Sequence, residues 1–245
     1  MVWTMTLVVA AALPPAASAV PATGSHGTID IWSDATKPNV SASLNYAARL
    51  HAAGDPKGDP PALRRLVIQL PPGSRVDTSV PPRCSASDDE IRLVGESACP
   101  LSARIGSGEA TVKTIGGGTS TYETVIYNAE DDMLELIKSG DRVISVVHTY
   151  VRGETLVGPV PTCLTGGNPP EGCPSDQVTL IANSLHVDRM NVGPRRYGVT
   201  PRRCPKSRRW STPVRLEFGD GSVETLVPHS PCKPPKRRTA AGRGR

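Results

Sequence analysis

"RLEFGDGSVETL", residues Arg215–Leu226, sets the reading of the whole chain. Apolar and polar side chains alternate on both sides of Asp220-Gly221. An Asp-Gly connection between two alternating runs is a strong short-range sign of a tight antiparallel hairpin, because the central positions need φ values that Asp and Gly tolerate. The same period of two recurs at Thr28–Trp32, Asn39–Leu50, Leu63–Leu70, Glu109–Ile115, Thr121–Asn128 and Met133–Ile137, and again at Arg142–Val151, Gln177–Val187, Trp210–Phe218 and Ser222–Val227. That predicts about ten strands with no long amphipathic helix between them. Parallel neighbours need long crossover connections, so the pairing is expected to be antiparallel.

Composition agrees. The 245 residues include 25 Pro and 23 Gly, many of them between the alternating runs, and a single Phe, so Val, Leu and Ile must fill the core. An antiparallel β-sandwich, jelly-roll-like, is the economical way for so many short strands to hide their apolar faces.

Six cysteines, Cys84, Cys99, Cys163, Cys173, Cys204 and Cys232, fall into three sequence-neighbour pairs, each closing Pro/Gly-rich or turn-rich chain. The spacing predicts bridges Cys84–Cys99, Cys163–Cys173 and Cys204–Cys232. Zinc and dithiol redox chemistry both want C-x-x-C or an equivalent ligand spacing, which the sequence does not offer. Within the first loop, "CSASDDEIRLVGESACP" (Cys84–Pro100), Ser87 followed three residues later by Glu90 has the form of a capping box, and Gly95 is a stop. A helix of about two turns from Asp88 to Val94 follows, too short to persist unless it is held at both ends.

The ends carry their own signals. Val2–Leu13 is almost wholly apolar and is followed by Ala17-Ser18-Ala19, the small-x-small form of a secretory cleavage site, so residues 1–19 are expected to be a leader and the protein secreted, to the extracellular space or the cell envelope. The run is too short for a transmembrane segment. Residues 20–232 are then the β domain. After Cys232, "KPPKRRTAAGRGR" holds Lys233, Lys236, Arg237, Arg238, Arg243 and Arg245 and no acid, which accounts for the formal charge of +5, so residues 233–245 are expected to be a disordered basic tail.

Two longer stretches carry a resemblance. "LVIQLPPGSRVDTSVPPRCSASDDEIRLVGESACPLSARIGSGEATV" (Leu66–Val112) and "RRCPKSRRWSTPVRLEFGDGSVETLVPHSPC" (Arg202–Cys232) resemble a family of secreted actinobacterial proteins in the order Cys-Ser-Ala, short helix, Ala-Cys-Pro, Gly-x-Gly, then Cys-Pro, Trp, an Asp-Gly hairpin and a last Cys. The resemblance implies an extracellular β-sandwich of unknown function. It brings no catalytic residue, and it supports the first and third bridges; the Cys163/Cys173 loop looks like an addition.

Few residues announce chemistry. There is no G-x-S-x-G, H-E-x-x-H or EF-hand loop. Gly106-x-Gly108 precedes strand-like sequence rather than a helix and reads as a bend or bulge. His148 and His186 sit in strands. Glu130, Asp131, Asp132 and Glu135 offer carboxylates for glycoside chemistry, yet nothing in the sequence selects a pair. The densest feature is "DRMNVGPRRYGVTPRRCPKSRRW" (Asp188–Trp210), in which Arg195, Arg196, Arg202, Arg203, Arg208 and Arg209 are candidates for binding an anionic cell-wall polymer, since guanidinium groups suit phosphate and carboxylate. Export argues against nucleic acid as the partner. The expectation is a secreted non-enzymatic protein that needs no cofactor or metal; the alternative is an extracellular glycan-acting hydrolase or lyase with an unlocated carboxylate site.

Overall fold

The structure is a computed structural model that describes residues 24–114, 117–162 and 178–234. The expected leader, the Cys163–Cys173 bridge and the tail beyond Pro234 lie outside the described residues. The chain runs through β1 (Gly27–Trp32), β2 (Leu44–Leu50), β3 (Leu63–Gln69), the short β4 (Arg75–Val76) and the helix α1 (Asp88–Val94). A meander of long strands follows: β5 (Arg104–Thr114), β6 (Thr119–Ala129), β7 (Asp132–Ser139) and β8 (Arg142–Arg152), then β9 (Thr155–Pro159) and β10 (Val178–Val187). The last part holds four short strands, β11 (Asn191–Val192), β12 (Arg195–Arg196), β13 (Gly198–Val199) and β14 (Arg209–Ser211), then the hairpin β15 (Val214–Phe218) and β16 (Val223–Leu226), and finally β17 (His229–Pro231).

Eleven strands form one antiparallel sheet in the order β1-β2-β10-β5-β6-β7-β8-β9-β3-β15-β16, so the all-β antiparallel expectation holds. The sheet bends back until its edges meet. Glu224 on β16 accepts from the His26 amide at 2.7 Å, just ahead of β1, and from the Ser25 hydroxyl, while the His26 ring lies 4.5 Å from that of Phe218. A twisted sheet of this many strands curls rather than staying open, and its inner faces enclose one apolar core. Ile29, Ile31, Tyr46, Ala48, Leu63, Ile68, Ile126, Met133, Leu156, Leu216 and Phe218 belong to it.

A second core lies outside the sheet. Val125, Tyr127, Leu134, Leu136 and Val146 on the outer face of β6–β8 pack with Ile91 of α1 and with Cys84 and Cys99. These central strands are therefore covered on both sides, which explains their nearly continuous apolar sequence. Helix α1 spans the predicted residues. Ser87 Oγ accepts from the Glu90 amide at 3.3 Å, and Gly95, at φ 85°, closes the end with its amide on Ile91 O. Among the described residues two bridges are formed, Cys84–Cys99 and Cys204–Cys232, with Cα separations of 4.9 and 5.5 Å.

The Gly106-x-Gly108 bend has a steric cause. A Cβ on Gly106 would sit 2.1 Å from His186 O, and one on Gly108 would sit 2.0 Å from Ser184 O, both on the backbone of β10. The register of β5 against β6 shifts between Arg104 and Gly106, as a bulge requires. Gly108→Ala should cost about 2 kcal/mol, because backbone cannot yield as a side chain tip would. Thermal unfolding should show a midpoint lowered by roughly 4–8 °C.

Candidate functional site

The arginine-rich segment folds into one end of the molecule. Strand β13 pairs with β4, β14 pairs with β17, and β11 pairs with β12. Backbone bonds join these small pieces: Asn39 N to Pro201 O at 3.0 Å, Ala42 N to Gly198 O at 3.0 Å, Asp77 N to Tyr197 O at 2.8 Å and Lys233 N to Thr36 O at 2.7 Å. The two aromatics of the segment serve this construction. Tyr197 and Trp210 are buried, and the Trp210 indole donates to Arg203 O at 3.0 Å, which fixes the loop between them. The Cys204–Cys232 bridge ties the same loop to β17.

The sequence-predicted arginines divide into two groups here. Arg195 donates to Ser79 Oγ and lies 3.8 Å from Asp77, and Arg196 donates to Asn39 O at 2.8 Å, so these two brace the end against remote chain. Arg202, Arg203, Arg208 and Arg209 are exposed, as are Lys37, Arg75, Lys206 and Lys233 around them. None of Arg202, Arg203, Lys206, Arg208 and Arg209 forms an ion pair with an acid among the described residues. The acids of this end are engaged elsewhere: Asp34 with Arg189, Asp77 with Arg195, and Asp188 with His186. The Ser79 hydrogen bond, helped by the charges of Arg195 and Arg75, holds the Asp77 carboxyl below its ordinary range. Burial alone would raise the Asp34 carboxyl, but bonds from Ser43 and Arg189 hold it below too. The end therefore presents uncompensated positive charge, and the chain leaves it at Lys233-Pro234, toward the residues that add five more cations.

The four carboxylates considered for glycoside chemistry are not brought together. Glu130 is exposed and pairs with Arg83 at 3.4 Å; Asp131 occupies a turn with φ 52°. Asp132 bonds His148 Nδ1 at 2.5 Å. Glu135 points the other way, into the sheet interior, where it is buried. Burial pushes its carboxyl up to about 7, and a hydrogen bond from Asn183 on β10 opposes this. Asn183 carries no motif, and its pairing with Glu135 depends on strand order, so sequence reading missed it.

His148 is the other built cluster. Asp132 holds Nδ1, and Asp88 in the first turn of α1 holds Nε2 at 3.0 Å, so both ring nitrogens are occupied by carboxylates and the ring joins the helix to β7 and β8. The Asp132 hydrogen bond first, then that of Asp88, raises the imidazole to about 9 against the opposing effect of burial. Its stabilising contribution is full below the unfolded value near 6.5 and fades as pH rises through about 9. With much of the side chain open to solvent, that contribution is on the order of 1 kcal/mol. Amide-exchange protection at Ile91 and Gly95 should thus fall between pH 6.5 and 9, and His148→Gln should flatten the dependence.

Among the described residues no helix is long and apolar enough to cross a membrane. Comparison with family models, with curated proteins and with solved structures finds no match, so function must be argued from this geometry.

Proposed function

We propose that this is an exported, non-enzymatic binding protein of the extracellular space or cell envelope, and that its arginine-rich end holds an anionic envelope polymer. The observation that carries the reading is the set Arg202, Arg203, Lys206, Arg208 and Arg209. They are exposed on a loop made rigid by the Trp210 bond and the Cys204–Cys232 bridge, with the nearby acids already paired. A fixed array of guanidinium groups engages phosphate or carboxylate with little loss of freedom on binding. Two disulfides among the described residues fit an oxidising compartment, and the apolar start of the sequence has the form of a leader. The basic residues from Lys233 onward would lengthen the contact along a polymer.

The test is co-sedimentation of the mature protein with purified cell wall and with soluble polygalacturonate and polyphosphate, at low and high salt. Binding should weaken steeply between about 50 and 300 mM salt, because the distance over which exposed charges act shrinks from about 14 Å to about 6 Å in that range. The combined variant Arg202→Gln, Arg203→Gln, Arg208→Gln, Arg209→Gln should bind more than tenfold more weakly while keeping its thermal midpoint. Binding that ignores salt, or its absence from all three materials, would end this reading.

A further inference from the structure

The inner face of the sheet does not close completely. Between β2, β3 and β5–β10 lies a cavity of about 110 Å³. Its walls are aliphatic, among them Leu44, Leu66, Ile137, Leu180 and Leu185. The lining reaches Pro159 at the end of β9. One carboxyl stands in this wall. Glu135 occupies an inward position of β7 between Met133 and Ile137, and its direct neighbours across the ladder are Ile126 on β6 and Val147 on β8. It is 8% exposed.

Two oxygen atoms there lack partners. Glu135 Oε1 and Asn183 Oδ1 are both buried and make no hydrogen bond among the described residues. An amide oxygen can only accept, and above about pH 7, where Glu135 is ionised, its carboxylate oxygens can only accept as well. Buried polar atoms are usually satisfied, and of the seven side-chain atoms without partners among the described residues these two line one apolar void, where a single bound donor group would serve both. Leaving them bare costs the fold free energy that a bound donor returns.

We infer that this cavity binds a small aliphatic amine, its ammonium donating to Glu135 Oε1 and Asn183 Oδ1 and its hydrocarbon lying against the leucines and isoleucines of β2, β3, β7 and β10. The ammonium supplies donors for both oxygens and gives the buried carboxylate the opposite charge it lacks. An isolated ion in such a site is unfavourable, and a well-aligned, hydrogen-bonded opposite charge offsets that cost. Size limits the ligand. A dry cavity of roughly 150 Å³ holds benzene, so one of this volume takes about four to six non-hydrogen atoms. Among the described residues the other titratable group in the wall is Tyr46, whose hydroxyl burial holds in the neutral form well above physiological pH. Amine affinity should therefore follow the ionisation of Glu135 alone, rising with pH through about 7 and levelling off above it. This site is separate from the arginine-rich end and stands whether or not that end binds polymer.

The experiment is titration calorimetry of the mature protein with n-butylamine, n-butanol and butyrate at pH 6 and pH 8, with methyl NMR to place any ligand. Butylamine should bind once per chain, roughly in the 0.1–1 mM range expected of so few atoms. It should bind several-fold more tightly at pH 8 than at pH 6 and shift the methyl signals of Leu44, Ile137 and Leu185. Butyrate should not bind. Glu135→Gln keeps the shape and removes the charge; it should weaken butylamine more than tenfold while leaving the fold, by thermal midpoint, intact. Butylamine binding that is equal in Glu135→Gln and the parent, or butanol or butyrate binding better than butylamine at pH 8, overturns the assignment. So does the absence of cavity methyl shifts with butylamine.

Discussion

Replacing Glu135 with methionine should stabilise the protein by about 3 kcal/mol more at pH 8 than at pH 4. The carboxyl titrates at about 7 in the fold because it is buried, against an ordinary value of 4.5. A raised carboxyl means that the folded state keeps its proton over a range where the unfolded state has already lost it. Stability therefore falls as pH rises from about 4.5 to 7, and the full penalty persists above that. Each pK unit corresponds to about 1.4 kcal/mol, which gives the figure above. Methionine is close in volume, unbranched and apolar, so it fills the position between Ile126 and Val147 without a new void. The Asn183 side chain, half-buried across the cavity, loses the carboxyl beside it, which reduces the gain slightly at every pH. Chemical denaturation of parent and variant across pH 4–9 measures the difference, which near neutrality corresponds to roughly 6–12 °C in midpoint for a chain of this size. A parent curve that is flat from pH 4.5 to 7 would show that the carboxyl is hydrated, and would remove the premise of the amine site as well.

The two pH-dependent groups are separable. Glu135 acts below about pH 7 and His148 above about 6.5, and both make the protein less stable toward alkaline conditions. The first works through the interior of the sheet and the second through the attachment of α1. Global unfolding should report Glu135, whereas local exchange at the helix should report His148.

Local chemistry made most of the elements legible. The Asp220-Gly221 hairpin forms as read, with Gly221 at φ 86° and the Asp220 carboxylate accepting from the Ser222 amide at 2.9 Å. The helix, its cap and its stop were all present within a dozen residues of sequence. Where the reading was too long or too short, a neighbour decided. The period of two at Asn39–Leu50 predicts one strand, but Asn39 has φ 54° and pairing to β1 begins only near Asn45. Trp210–Phe218 is split by Thr212-Pro213 into β14, which joins β17, and β15, which joins β3. Thr155–Pro159 is too short, with Gly and Pro at its end, to announce a strand by its pattern, yet it bridges β8 and β3. The site was less legible for the same reason. The arginines could be counted, but the acids that neutralise some of them, Asp34 and Asp77, come from distant chain. Glu135 could be listed as a carboxylate, while the wall it stands in is assembled from eight strands.

Loss of the Cys204–Cys232 bridge should destabilise the protein by about 3.5 kcal/mol, more than loss of Cys84–Cys99 at about 3 kcal/mol. On the chain-entropy account the cost grows with the loop released, and the sequence separations are 28 and 15. The functional consequence differs more than the energy. Cys84 and Cys99 are buried against Ile91 and the outer face of β6–β8, so cutting that bridge should free α1 first and leave the arginine-rich end in place. Cys204 and Cys232 hold the loop that carries Lys206, Arg208 and Arg209, and Cys232 donates its amide to Arg208 O at 2.8 Å. A loosened loop must be ordered again when it meets a polymer, so the double variant Cys204→Ser, Cys232→Ser should bind anionic polymer several-fold more weakly at every salt concentration, with its charges unchanged. Cys84→Ala, Cys99→Ala should match the parent in binding despite its lower stability. Denaturant unfolding together with polymer co-sedimentation measures both effects. If the Cys204/Cys232 variant binds as well as the parent, the array of arginines acts through total charge rather than through fixed geometry.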